Sequence, residues 1–257
     1  MELLSVLLAR ALAWVEPTEL NPRAAVFYPD LTQAIVARYG FQKFPQKLED
    51  FDEGKGVTFA AGRLGKSVIE QLIIYTYGIL LDTRSSTQES KRLLEEAMQW
   101  GKNELGLVYE PSMIRRWQYA SQVTFRSDVP LAGVQTAFQT LADKMRKHIL
   151  ELMGEDLKYE LTAFFVDYDS LTRQHPLGRF SIQRRENTPF SENKYFSDAP
   201  LPTDIHIALL EEFERNVSAG LPEVQRVPEE HSPTEQSEQG LLQKRPIRAI
   251  AFKKDDV

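Results

Sequence analysis

The chain has 257 residues, a formal net charge of −6, 42% hydrophobic and 26% charged residues, and no cysteine. These are ordinary globular proportions, sufficient for one large domain or two modest ones with a core to match. The acidic balance argues against broad electrostatic attraction to nucleic acid or an anionic membrane, and the missing cysteines exclude disulfides, thiolate metal sites and a cysteine nucleophile together.

Residues 1–15 form an apolar run with Glu2 at its start and Arg10 inside it. It lacks the leading positive charge of a secretory signal and is too short to span a bilayer, so the expectation is a helix docked on the core. Pro17, Asn21 and Pro22 punctuate a connection. Asp30 is placed as an N-cap before Leu31, Ala34, Ile35 and Arg38, and Gly40 as the C-cap. Residues 41–45 read as a short strand stopped by proline, and 47–56 as a charged surface loop. Strands are expected over 57–60 and 67–76, separated by a Gly62–Gly65 turn. Gly78 is expected to supply the positive φ of a tight turn before a third strand at 79–82. Ser86 and Glu89 have the spacing of a capping box, and Leu93, Leu94, Ala97, Met98 and Leu105 then form a helical stripe.

Residues 116–126 read as another strand. A turn at 127–131 leads into a helix whose one face holds Val134, Phe138, Leu141, Met145, Ile149 and Leu152, ended by Gly154. Residues 157–168 and 177–184 are expected as antiparallel neighbours. Thr203 caps a last helix carrying Ile205, Leu209, Leu210 and Phe213. Two Ser-Asp-x-Pro-Leu pentapeptides lie 70 residues apart, but the helical stripes do not keep register at that offset. A duplicated strand–turn–helix unit is therefore the lesser reading, and one kind of turn chemistry used twice the preferred one.

The fold class is therefore α+β, with antiparallel or mixed sheets in two sheet–helix halves packed together, 1–110 and 111–219, as two domains or one. From 220 to 257 the composition shifts: Pro, Glu, Gln and Ser dominate up to Gly240, which predicts disorder. A basic and apolar segment follows.

Ala60-Ala-Gly-Arg-Leu-Gly-Lys-Ser67 resembles the Walker A motif of P-loop NTPases over eight residues. The resemblance implies that Gly65 amides cradle phosphates, Lys66 reaches the outer ones and Ser67 helps to hold magnesium, with Asp82 or Asp167 as the closing acid. Such a loop must open a helix, yet the residues after it are β-branched and aromatic, so a hairpin turn is the preferred reading. A nucleotide-binding enzyme is the alternative it leaves. Asp167 and Asp169 lie on one side of a strand end, where solvated turn openers are commoner than metal ligands. His148, His175, His206 and His231 show no ligand or catalytic spacing, and His148 and His206 are placed on helix surfaces. Arg115 and Arg116 beside Trp117 and Tyr119, and Arg179, Arg184 and Arg185 around Phe180, have the texture of a single-stranded nucleic-acid platform. Half-buried strands with charged outward positions explain them as well. The favoured lead is residues 247–252, where Ile247, Arg248, Ile250 and Phe252 sit on a tether of about twenty residues and suit addition to a partner's sheet edge. Together these readings describe a non-catalytic accessory or scaffold subunit of a cytoplasmic assembly, with no cofactor, metal or membrane role.

Overall fold

The computed structural model describes residues 1–24, 26–131, 136–168 and 178–220. In chain order these form β1 (Glu2–Trp14), α1 (Pro17–Leu20), α2 (Tyr28–Tyr39), β2 (Val57–Leu64), β3 (Ser67–Tyr75), β4 (Gly78–Thr83), α3 (Thr87–Leu105), β5 (Arg116–Arg126), α4 (Thr136–Met153), β6 (Ala163–Val166), β7 (Phe180–Arg184), β8 (Lys194–Ala199) and α5 (Thr203–Gly220). The strands make one eight-stranded sheet in the order β2-β3-β4-β1-β5-β8-β7-β6. Every pairing is antiparallel. The fold is α+β, and the two halves are joined by a continuous sheet rather than by packed separate ones.

The expected N-terminal helix is instead β1, a central strand of that sheet. Ala9, Ala11 and Ala13 are fully buried, while Leu8, Arg10, Leu12 and Trp14 alternate with them on the opposite face. Because both faces of a central strand are apolar, the period of two is hidden in the sequence. The alanines let α3 sit close above the strand, near enough for Ser90 Oγ to donate to the Ala9 carbonyl at 2.7 Å.

The strand order is a palindrome. β1, α2, β2, β3, β4 and α3 are followed by β5, α4, β6, β7, β8 and α5 in the same sequence of types. Ala9 pairs with Thr83 on one side and Ser121 on the other, and Ser121 pairs with Ala9 and Ala199. A pseudo-two-fold axis therefore passes between Ala9 and Ser121. Above it the N-termini of α3 and α5 cap each other. The Thr87 N–H donates to Thr203 Oγ1 at 3.1 Å, and the Thr203 N–H donates to Thr87 Oγ1 at 2.9 Å. Each threonine thereby satisfies a helix-start donor that has no partner within its own helix. Two core clusters flank this axis. The first is built on Ile35, Tyr39, Phe59, Leu81, Leu94 and Met98, the second on Phe125, Leu131, Ile182, Tyr195, Leu210 and Val217.

Local chemistry departs from expectation at several points. Gly40 does end α2 in the left-handed region, at φ 61°. Gly78 has no positive φ; a Cβ there would stand 2.5 Å from the Ala13 carbonyl oxygen, so the glycine serves close strand approach. Ser86 Oγ accepts from the Glu89 N–H, but the Glu89 carboxylate turns to Ser67 and Arg92 rather than back to the cap. The short strand at 41–45 reduces to a bridge between Lys43 and Ala60. The long strand expected at 157–168 is only Ala163–Val166.

Candidate functional site

Gly65 and Lys66 form the two-residue turn of the β2–β3 hairpin, with Gly65 at φ 59°. Ser67 opens a strand and its hydroxyl donates to Glu89, so the helix N-terminus that phosphate binding requires does not follow this loop. Asp82, one proposed closing acid, is 2% exposed and accepts from Arg10 Nε and Nη2 at 2.8 and 2.7 Å. Asp167 is exposed and accepts from the Tyr168 N–H. Asp169, His175, His231 and the docking segment with Ile247, Arg248, Ile250 and Phe252 lie outside the described residues.

The basic and aromatic residues do not converge. Arg115 pairs with Glu16 and Glu19, each at 2.9 Å, and the Arg116 guanidinium lies 4.1 Å from the Trp14 ring centre. Arg184 is 9% exposed, pairs with Glu160, donates to the Phe190 carbonyl and stacks on Phe190 and Tyr195. Only Arg185 of that pair faces solvent. Register places Arg184 level with Tyr195 and Phe125, nine residues along β5 from Arg116. At the rise of a strand that is roughly 30 Å.

His206 is fully buried, not on a helix surface. It sits 2.8 Å from Ser197 Oγ through Nε2, and the Ser197 hydroxyl donates to the Ser181 carbonyl. Nε2 must therefore carry the proton and donate to the serine, which leaves Nδ1 buried without a partner. A base ready to take the serine proton would have the opposite arrangement. Burial pushes His206 down to about 4, so the ring is neutral at pH 7. Its counterpart across the pseudo-two-fold is Ser90, equally buried. His148, by contrast, is exposed on α4.

Two surface features were not foreseen. On the sheet face opposite α3, a depression of about 370 Å³ has Leu8, Leu12 and Leu80 on its floor and Arg10, Gln122 and Asp198 around them. Tyr75 and Tyr77, stacked with ring centres 5.2 Å apart, also line it. The pseudo-two-fold relates Arg10 and Asp82 to Gln122 and Asp198. Burial raises the Asp198 carboxyl above its usual range, while Gln122 pulls the other way. The second feature is α4. Every described side chain on it is at least partly exposed, and its apolar face presents Phe138, Leu141, Met145, Leu152 and Met153 at 43–81% exposure. In α2, the corresponding helix, Ile35 and Tyr39 are buried at 6% and 2%. The stripe was legible in the sequence, but its lack of cover was not.

A narrow apolar cavity of about 90 Å³ lies between α2 and α3, lined by Leu31, Ile35, Leu72, Met98 and Trp100. Among the described residues no three His, Asp or Glu side chains gather into a metal-holding group. No described helix is long and apolar enough to cross a membrane. No family model matches the chain, and no curated protein matches it.

Proposed function

We propose that the protein is a non-catalytic interaction subunit of a cytoplasmic assembly, working by holding another protein. The observation that carries this reading is the uncovered apolar face of α4. A helix with one apolar stripe gains most of its stability by burying it, and contiguous apolar surface of this size marks contact sites. The basic and apolar end of the chain, with Ile247, Arg248, Ile250 and Phe252, adds a second contact element in the same reading.

The test is affinity capture with three forms: the full chain, Leu141→Glu, and a chain ending at Gly240. The reading predicts a protein retained by the full chain and lost or weakened at least tenfold in Leu141→Glu. Loss in the shortened chain assigns part of the contact to the tail. Equal retention by the full chain and Leu141→Glu overturns the role of α4.

A further inference from the structure

We infer that the apolar face of α4 is covered by α4 of a second copy of this chain, the two helices packing antiparallel about a two-fold axis at the level of residue 147. This rests on the interaction reading above and names the partner of its surface.

Spacing supplies the seam. Phe138, Leu141, Met145, Ile149 and Leu152 recur three or four residues apart, and Ala142 and Met153 widen the same face. A helix presenting such a stripe to an identical helix interdigitates it. Antiparallel pairing about this axis sets Leu141 against Leu152 of the other copy and Met145 against Ile149.

Charge selects the orientation. Lys144 and Glu151 are seven residues apart, two turns along the same flank of the stripe. In an antiparallel pair Lys144 of each copy faces Glu151 of the other, giving two complementary contacts. In a parallel pair this flank would instead meet the partner's opposite flank, the one that carries Arg146, and Lys144 would have no Glu151 to face. The opposite flank offers Arg146, already paired with Asp156. The C-terminal segment of the same chain is the poorer occupant, since its Lys244, Arg245, Arg248, Lys253 and Lys254 would approach Lys144 and Arg146, which flank the stripe.

The area is sufficient. Within the overlap the exposed Leu141, Met145, Leu152 and Met153, at roughly 100 Å² each, give on the order of 400 Å² per copy, to which half-exposed Ile149 and the flanking Lys144 and Glu151 add. The pair then reaches the total of about 1,000 Å² at which specific interfaces begin. An interface at this lower limit is expected to be reversible, so the oligomeric state should depend on concentration.

The test is sedimentation equilibrium of the full chain across about 1–100 µM. The expected result is a monomer–dimer equilibrium that Met145→Glu shifts to monomer without lowering the melting temperature. Lys144→Glu weakens the dimer, and adding Glu151→Lys to it restores association. The cysteine-free sequence allows a second readout. His148→Cys forms an oxidised dimer, whereas Lys147→Cys, turned away from the stripe, does not. A chain that stays monomeric throughout, a dimer indifferent to Met145→Glu, or equal cross-linking at both cysteine positions overturns the inference. The interaction reading falls separately: a monomeric chain that still loses its captured protein in Leu141→Glu refutes the second copy and leaves that reading standing.

Discussion

Lowering the pH from 7 towards 4 loads a proton onto the unfolded chain at His206 before the folded protein accepts one. The side chain is fully buried, and burial takes the imidazole from its ordinary 6.5 to about 4. A folded-state value below the unfolded one means that the contribution is complete above about pH 6.5. It is lost as pH falls through that window to about 4. At 1.36 kcal/mol per pH unit the gap amounts to about 3 kcal/mol, a large share of the 5–15 kcal/mol typical of a domain. The physical source is specific. Nε2 is engaged with Ser197, and Nδ1 has no acceptor to receive a new proton. Urea unfolding at pH 7.5, 6.0, 5.0 and 4.5 measures the loss. The comparison is His206→Ser, which copies Ser90 at the pseudo-symmetric position and removes the titrating group. The wild type should fall relative to that variant by roughly 2–3 kcal/mol between pH 6.5 and 4.5. Parallel stability curves would refute the assignment of a buried, neutral His206.

Arg10→Met removes the partner of a carboxylate that is 2% exposed and is expected to destabilise by about 3–5 kcal/mol in urea. Converting both residues, as Arg10→Met with Asp82→Leu, should recover most of that loss; no recovery would mean that the ion pair is not the cause. Gly78→Ala forces a Cβ to 2.5 Å from the Ala13 carbonyl oxygen and should cost several times more than Gly65→Ala. At Gly65 only the positive φ opposes the change, a cost of about 1 kcal/mol. Similar losses at the two glycines would contradict the strand spacing. Finally, Mg-ATP and Mg-GTP should leave the melting temperature unchanged, because ligand binding to the folded state alone must raise it. A rise abolished by Lys66→Ala would show that the β2–β3 turn holds phosphate.

The elements with strong local chemistry were legible in the sequence. Ser86 at its cap and the spaced Leu93, Leu94 and Met98 marked α3, Gly40 marked the end of α2, and alternation marked β5. β1 was missed because apolar residues on both of its faces hide the alternation, and because alanine and leucine also favour helices. The pseudo-two-fold was missed because the identities that follow it are few. Asp82 and Asp198, Thr87 and Thr203, and the two Leu-Leu-Glu-Glu tetrapeptides at 93–96 and 209–212 all share an offset of 116 residues. The pentapeptides 70 residues apart are no part of it, since Ser127 follows β5 whereas Ser197 lies within β8. His206 looked like a surface residue because its helix shows an apolar stripe at Ile205 and Leu209, which are the exposed positions. For α4 the periodicity gave the helix and its apolar face. Whether anything covers that face depends on tertiary packing, which periodicity does not encode.

The most direct measurement of the central claim places a photo-cross-linking amino acid at Met145, on the exposed face of α4, and another at Lys147, turned away from it. Irradiation in the native host should yield a discrete protein adduct from position 145, either a second copy or a different chain, and none from position 147. Unreacted monomer from position 145, or the same diffuse adducts from both positions, would contradict a protein that acts through this surface.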